Sequence, residues 1–94
     1  MYYLYLLRCE GGSIYCGITT DLERRLKEHQ SGKGAKYTRT HKPIAYAAAF
    51  SAEGRSLASK LESWAKTLSH SDKEKLASGE LPLPDYAEGS KKVM

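Results

Sequence analysis

The chain has 94 residues, which is enough for one small domain and too few for two. Its hydrophobic fraction of 40% is that of a folded globular protein and argues against wholesale disorder. The net charge of +4, from fifteen Lys and Arg against eleven Asp and Glu, is a weak pointer to nucleic acid by itself. No apolar run approaches the length of a membrane span, and the first residues do not read as a secretory signal, so a cytoplasmic setting is expected.

In chain order, Tyr2 to Arg8 is aromatic and apolar almost without interruption, the pattern of a strand buried on both faces. Glu10-Gly11-Gly12-Ser13 is a turn signal, and Ile14 to Ile18 is the return strand of a hairpin. Thr20-Asp21-Leu22-Glu23 fits a capping box with Thr20 as the cap, opening a helix to about Gln30. Gly32 and Gly34 end that helix. A basic segment follows and is expected to be a loop. Between Gly32 and Lys42 it holds Lys33, Lys36, Arg39, His41 and Lys42 and no acid, a composition that attracts phosphates.

Ile44 to Phe50 reads as a third strand, entered through Pro43, although its alanines leave a helical reading open. Arg55 to Leu68 is helical, with Leu57, Leu61, Trp64, Ala65 and Leu68 on one stripe. Ser71-Asp72-Lys73-Glu74 predicts a cap for a short final helix to about Ala77. The expected fold is α+β, a small three-stranded antiparallel or mixed sheet flanked by helices in the order β-β-α-β-α-α. Residues 1–80 would form the single domain and 81–94 a flexible tail. Cys9 and Cys16 are expected free and packed, because nothing supports a secreted context or a zinc motif.

The residues of the hairpin and the first helix carry a resemblance. Tyr3-Leu4-Tyr5 is followed, ten residues after Tyr5, by Tyr15-Cys16-Gly17. Then come Thr20-Asp21-Leu22-Glu23-Arg24-Arg25 and Glu28-His29, with Leu61-Glu62-Ser63-Trp64 in the later helix. This order resembles the GIY-YIG endonucleases, in particular their small stand-alone bacterial branch, over roughly residues 2–70. Tyr3, Leu4 and Cys16 stand where the eponymous motifs have glycine, isoleucine and isoleucine.

The resemblance implies a catalytic set of Tyr5, Tyr15, Arg25, His29 and Glu62. Glu62 would hold one divalent ion, magnesium or manganese. Arg25 would stabilise the phosphate, and Tyr15, assisted by Tyr5, would orient or activate water. His29 would contact phosphate or relay a proton. Lys33, Lys36, Arg39 and Lys42 would grip the backbone of a nucleic acid, DNA foremost. The implied activity is phosphodiester hydrolysis, with structure-selective repair or recombination as a setting. The rival reading is a nucleic-acid-binding module with little cleavage of its own, and a protein partner for the basic segment is a third. The catalytic reading requires Tyr5 and Tyr15 on one face of the hairpin. That demands odd positions opposite odd positions, for example Leu7 opposite Tyr15.

Overall fold

A computed structural model describes residues 1–94. Strands β1 (Tyr2–Cys9), β2 (Ile14–Thr19) and β3 (Pro43–Ala52) form an antiparallel sheet in the order β2-β1-β3. Helices α1 (Leu22–Gln30) and α2 (Lys36–Thr40) cover one face. Helices α3 (Arg55–Lys66) and α4 (His70–Ser78) cover the other. The fold is therefore α+β, as expected.

The continuous apolar character of β1 is explained by its central position. Leu4, Tyr5, Leu6, Leu7 and Cys9 are all buried, because helices pack on both sides. Alternation then divides the strand. Leu4 and Leu6 join Cys16, Phe50, Leu61, Ala65 and Leu76 in the larger core under α3 and α4. Tyr5, Leu7 and Cys9 face α1, where Leu22 and Leu26 close over them. The two cysteines thus lie on opposite faces of the sheet and both are free thiols. Arg8 also points to the α4 side and makes a two-pronged contact with Glu74, at 2.8 and 2.7 Å.

The local details depart from the expected ones in three places, and a fourth settles an open alternative. The cap of α1 is Asp21, whose carboxylate accepts from the Arg24 N–H, while Thr19 binds the Asp21 backbone and shapes the turn. Thr20 is exposed and caps nothing. The cap of α4 is Ser69, accepting from the Asp72 N–H, so that helix begins two residues earlier than the Ser71 box predicts. The basic segment is not wholly a loop, since Lys36–Thr40 forms α2, which is anchored through buried Thr38. The helical reading left open for the alanine-rich stretch is excluded by its ladder with β1, where Ala48 and Ala49 sit in the sheet with no exposed area.

Residues 81–94, read as a tail, run back across the molecule. Leu81, Leu83 and Ala87 pack on the larger core. Lys92 bridges Phe50, the Ser51 N–H donates to the Lys91 carbonyl at 2.8 Å, and the Val93 N–H donates to Ala49 at 2.8 Å. These bonds occupy the outer edge of β3, an edge that would otherwise present unpaired backbone groups.

Candidate active site

The hairpin register places Leu7 opposite Tyr15 and Tyr5 opposite Gly17. Tyr5 and Tyr15 therefore share the face under α1, with ring centroids 6.4 Å apart. This is the odd-odd pairing that the catalytic reading needs.

Tyr5 lies over Gly17, and the absence of a side chain there makes room for it. A Cβ at Gly17 would meet the Tyr5 hydroxyl and would lie 2.6 Å from its Cζ. Gly34 does the same for His29: a Cβ there would press on the imidazole Nδ1 and lie 2.8 Å from Cγ. These glycines let the backbone approach the two rings closely. From the sequence alone, Gly34 reads only as a helix stop.

The hydrogen bonds around these rings run in one direction. The Thr38 hydroxyl donates its single proton to the Ala35 carbonyl at 2.8 Å, so towards His29 it can only accept. The Thr38 oxygen lies 2.9 Å from His29 Nδ1, and Nδ1 must therefore carry the imidazole proton. That leaves Nε2 as a lone pair, which accepts from the Tyr5 hydroxyl at 2.8 Å. The Tyr5 oxygen in turn accepts from Arg25 Nε at 3.4 Å, while Arg25 Nη1 donates to Glu28 at 3.0 Å. Arg25 Nη2 has no partner in the protein.

Electrostatics agree with this assignment. Burial, reinforced by the Arg25 charge, lowers the His29 pKa below its usual 6.5 and keeps the ring neutral. Burial raises the Tyr5 pKa above 10, against the pull of Arg25, so Tyr5 remains a phenol. A protonated imidazole would need to donate to Tyr5 and would break the chain. Because the folded pKa of His29 is depressed, its contribution to stability is complete above about 6.5 and is lost as pH falls through the lower folded value. Thermal unfolding from pH 8 to 5 should therefore show the melting temperature falling more steeply for the parent than for His29→Gln. Parallel profiles would exclude His29 as the group responsible.

The five residues expected to be catalytic fall into two sets. Tyr5 and His29 are each 1% exposed, with their polar atoms occupied, and form an internal hub. Tyr15, Arg25 and Glu62 are half-buried and reachable. The Tyr15 hydroxyl makes no hydrogen bond within the protein and is not enclosed. Its ring packs edge-on against His29, with centroids 5.6 Å apart. Lys66 reaches round from α3 to within 5.8 Å of the Tyr15 ring centre and forms an ion pair with Glu62 at 3.4 Å. Glu62 joins the group through that lysine and through its field at Tyr5.

Glu62 offers a hard carboxylate at a partly open position, with 26% of its side chain exposed. No three His, Cys, Asp or Glu side chains converge anywhere in the molecule. The donor set suits a magnesium-type ion that takes one protein carboxylate and completes its shell with water and phosphate oxygens. It does not suit a closed zinc cage.

The basic residues divide as well. Arg39 and Lys42 line a depression of about 500 Å³ between the end of α1 and α2, behind His29. Lys33 and Lys36 are exposed outside it. The sequence reading does not reach Lys66 or Thr38, and it takes His41 only as a member of the basic segment. Of the first two, only Lys66 leaves a legible signal, its position four residues after Glu62 on a helix.

Comparison with known proteins accords with this geometry. The GIY-YIG catalytic domain profile matches residues 1–75. A UPF0213 protein of Cupriavidus pinatubonensis is 51% identical over 72 residues, covering 77% of this chain and 80% of that one. One from Fusobacterium nucleatum is 48% identical over 77 residues, covering 82% and 77%. The solution NMR structure of a UPF0213 protein from Bacillus halodurans is 42% identical and superposes with a TM-score of 0.54, covering 93% of this chain and 92% of that one. With a family profile spanning both tyrosine motifs, Arg25, His29 and Glu62, and with relatives of this similarity, the chain belongs to the GIY-YIG family, whose catalytic domain is of nuclease type.

Proposed function

We propose that the protein is a divalent-metal-dependent endonuclease that hydrolyses DNA phosphodiester bonds, with branched or damaged DNA met in repair or recombination as its substrate. The supporting observation is that two unused groups border one rigid hub, with a carboxylate linked to them through Lys66. The two groups are the free Tyr15 hydroxyl and the unpartnered Nη2 of Arg25, beside the buried Tyr5–His29 pair, and the carboxylate is that of Glu62.

Arg25 binds the phosphate that is attacked and neutralises charge as it develops. Tyr15 orients the attacking water. The water oxygen bonds to phosphorus, the bond to the 3′ oxygen breaks, and the products carry a 3′-hydroxyl and a 5′-phosphate. Tyr5 and His29 act as positioning residues, holding Arg25 and the Tyr15 ring against a fixed surface. Glu62 would hold magnesium or manganese, which supplies positive charge at the phosphate and acidifies bound water. Lys33, Lys36, Arg39 and Lys42 contact neighbouring phosphates, so affinity falls with salt. A cytoplasmic location accords with this chemistry.

The alternative is a nucleic-acid-binding module, and the Glu62–Lys66 ion pair favours it, because the ammonium occupies the carboxylate. The two are separated by incubating duplex, nicked, flapped and four-way-branched DNA with the parent, Glu62→Gln and Tyr15→Phe proteins, with and without magnesium. Metal-dependent cleavage that drops about 100-fold or more in both variants supports the enzyme. Binding across the panel with no cleavage by the parent selects the binding module.

A further inference from the structure

Beyond the site, the aromatic rings of α2 form a column that the catalytic roles leave unused. Tyr37 stacks on Tyr15 with planes 18° apart and centroids 5.7 Å apart. His41 stacks on Tyr37 with planes 6° apart and centroids 4.1 Å apart. The stack therefore links Tyr15, through Tyr37, to an exposed imidazole that no further ring packs against.

We propose that His41 and Tyr37 are a stacking platform for an unpaired nucleobase, and that this platform makes the protein select nucleic acids with a single-stranded or flapped segment beside the cut. The inference rests on the nuclease reading of the adjoining site and names the substrate feature that the site accepts.

Three observations support it. First, the imidazole is held in orientation. The Tyr37 carbonyl can only accept, so His41 Nδ1 at 3.3 Å carries the proton, and the Thr40 hydroxyl lies 3.0 Å from the same nitrogen. A flat ring fixed parallel to its neighbour is what base stacking requires. Second, the platform is flanked by exposed cations. Lys36 and Arg39 lie on α2 and Lys42 follows it, with no acid between residues 33 and 42. A nucleotide presents the matching pair of features, an aromatic face and a phosphate. Third, α2 is tied to the catalytic hub by the Thr38–His29 bond and by the close approach of Gly34, so the platform keeps a fixed position relative to Tyr15. Bases inside a duplex are already stacked on one another. A flap, overhang or gap offers a free one.

The test uses the full chain without metal, so that turnover does not enter. Two DNAs of matched length are compared by anisotropy, a blunt duplex and the same duplex bearing a short flap with 2-aminopurine as its first unpaired base. The parent should prefer the flapped DNA by about tenfold and should quench the 2-aminopurine on binding. In His41→Ala both the preference and the quench should disappear, and in His41→Tyr, which restores an aromatic face, both should return. Equal affinity for the two DNAs, or a preference that survives in His41→Ala, overturns the platform. Neither result depends on cleavage, which the Glu62→Gln comparison judges separately.

Discussion

Replacing Arg25 by alanine should lower kcat for DNA cleavage by about 10²–10³-fold, the usual cost of removing one preorganised donor from a developing anion. The expectation follows from how the guanidinium is used. Nε is committed to the Tyr5 hydroxyl and Nη1 to Glu28, which leaves Nη2 free on a side chain that is 28% exposed. The arginine is thus clamped on one side and open on the other. Arg25→Lys should recover little, because a single ammonium cannot both grip the hub and face a phosphate. If the contact forms only in the transition state, kcat and kcat/KM fall together while KM stays put. A rise in KM at constant kcat would instead make Arg25 a binding group.

Gly17→Ala should damage the protein through a single methyl group. Its Cβ would sit 2.6 Å from Cζ of Tyr5, a ring that is 1% exposed and held at its far end by His29 and Arg25. The ring has no free volume to move into, so the cost is that of overpacking, about 1–3 kcal/mol. For a domain of this size the loss corresponds to a fall in melting temperature on the order of 10 °C. Cleavage measured well below the new melting point should also drop, because displacing Tyr5 disturbs Arg25. An unchanged melting temperature in calorimetry would mean that the ring yields easily and that the hub is looser than its contacts indicate.

Features that depend on one element or one periodicity were legible in the sequence. The nearly continuous apolar run from Tyr2 to Leu7 announces a strand buried on both faces, and the Leu57/Leu61/Trp64 stripe announces the helix that covers it. The shared face of Tyr5 and Tyr15 was legible as a requirement, and the observed register meets it. Features that depend on distant contacts were not. Helix α2 is five residues long and too short to show a period, and it persists because Thr38 is buried against His29. The direction of the proton chain needed the Thr38 and Ala35 positions together. The caps of α1 and α4 were missed because two hydroxyl- or carboxylate-bearing residues stood within two positions of each other, and either could serve. In residues 81–94 the apolar side chains are spaced by prolines without any period, so nothing local showed that Leu81 and Leu83 would pack.

The alternation along β1 carries a consequence for the gene as much as for the protein. Its even positions address the helical core and its odd positions address the chemistry, with no neutral residue between Leu4 and Leu7. Many substitutions there would injure only one of the two programmes. A single inserted or deleted codon would exchange them, turning Tyr5 into the apolar interior and a leucine toward His29. In this strand, parity is the inherited quantity that matters most, ahead of the identity of most individual residues.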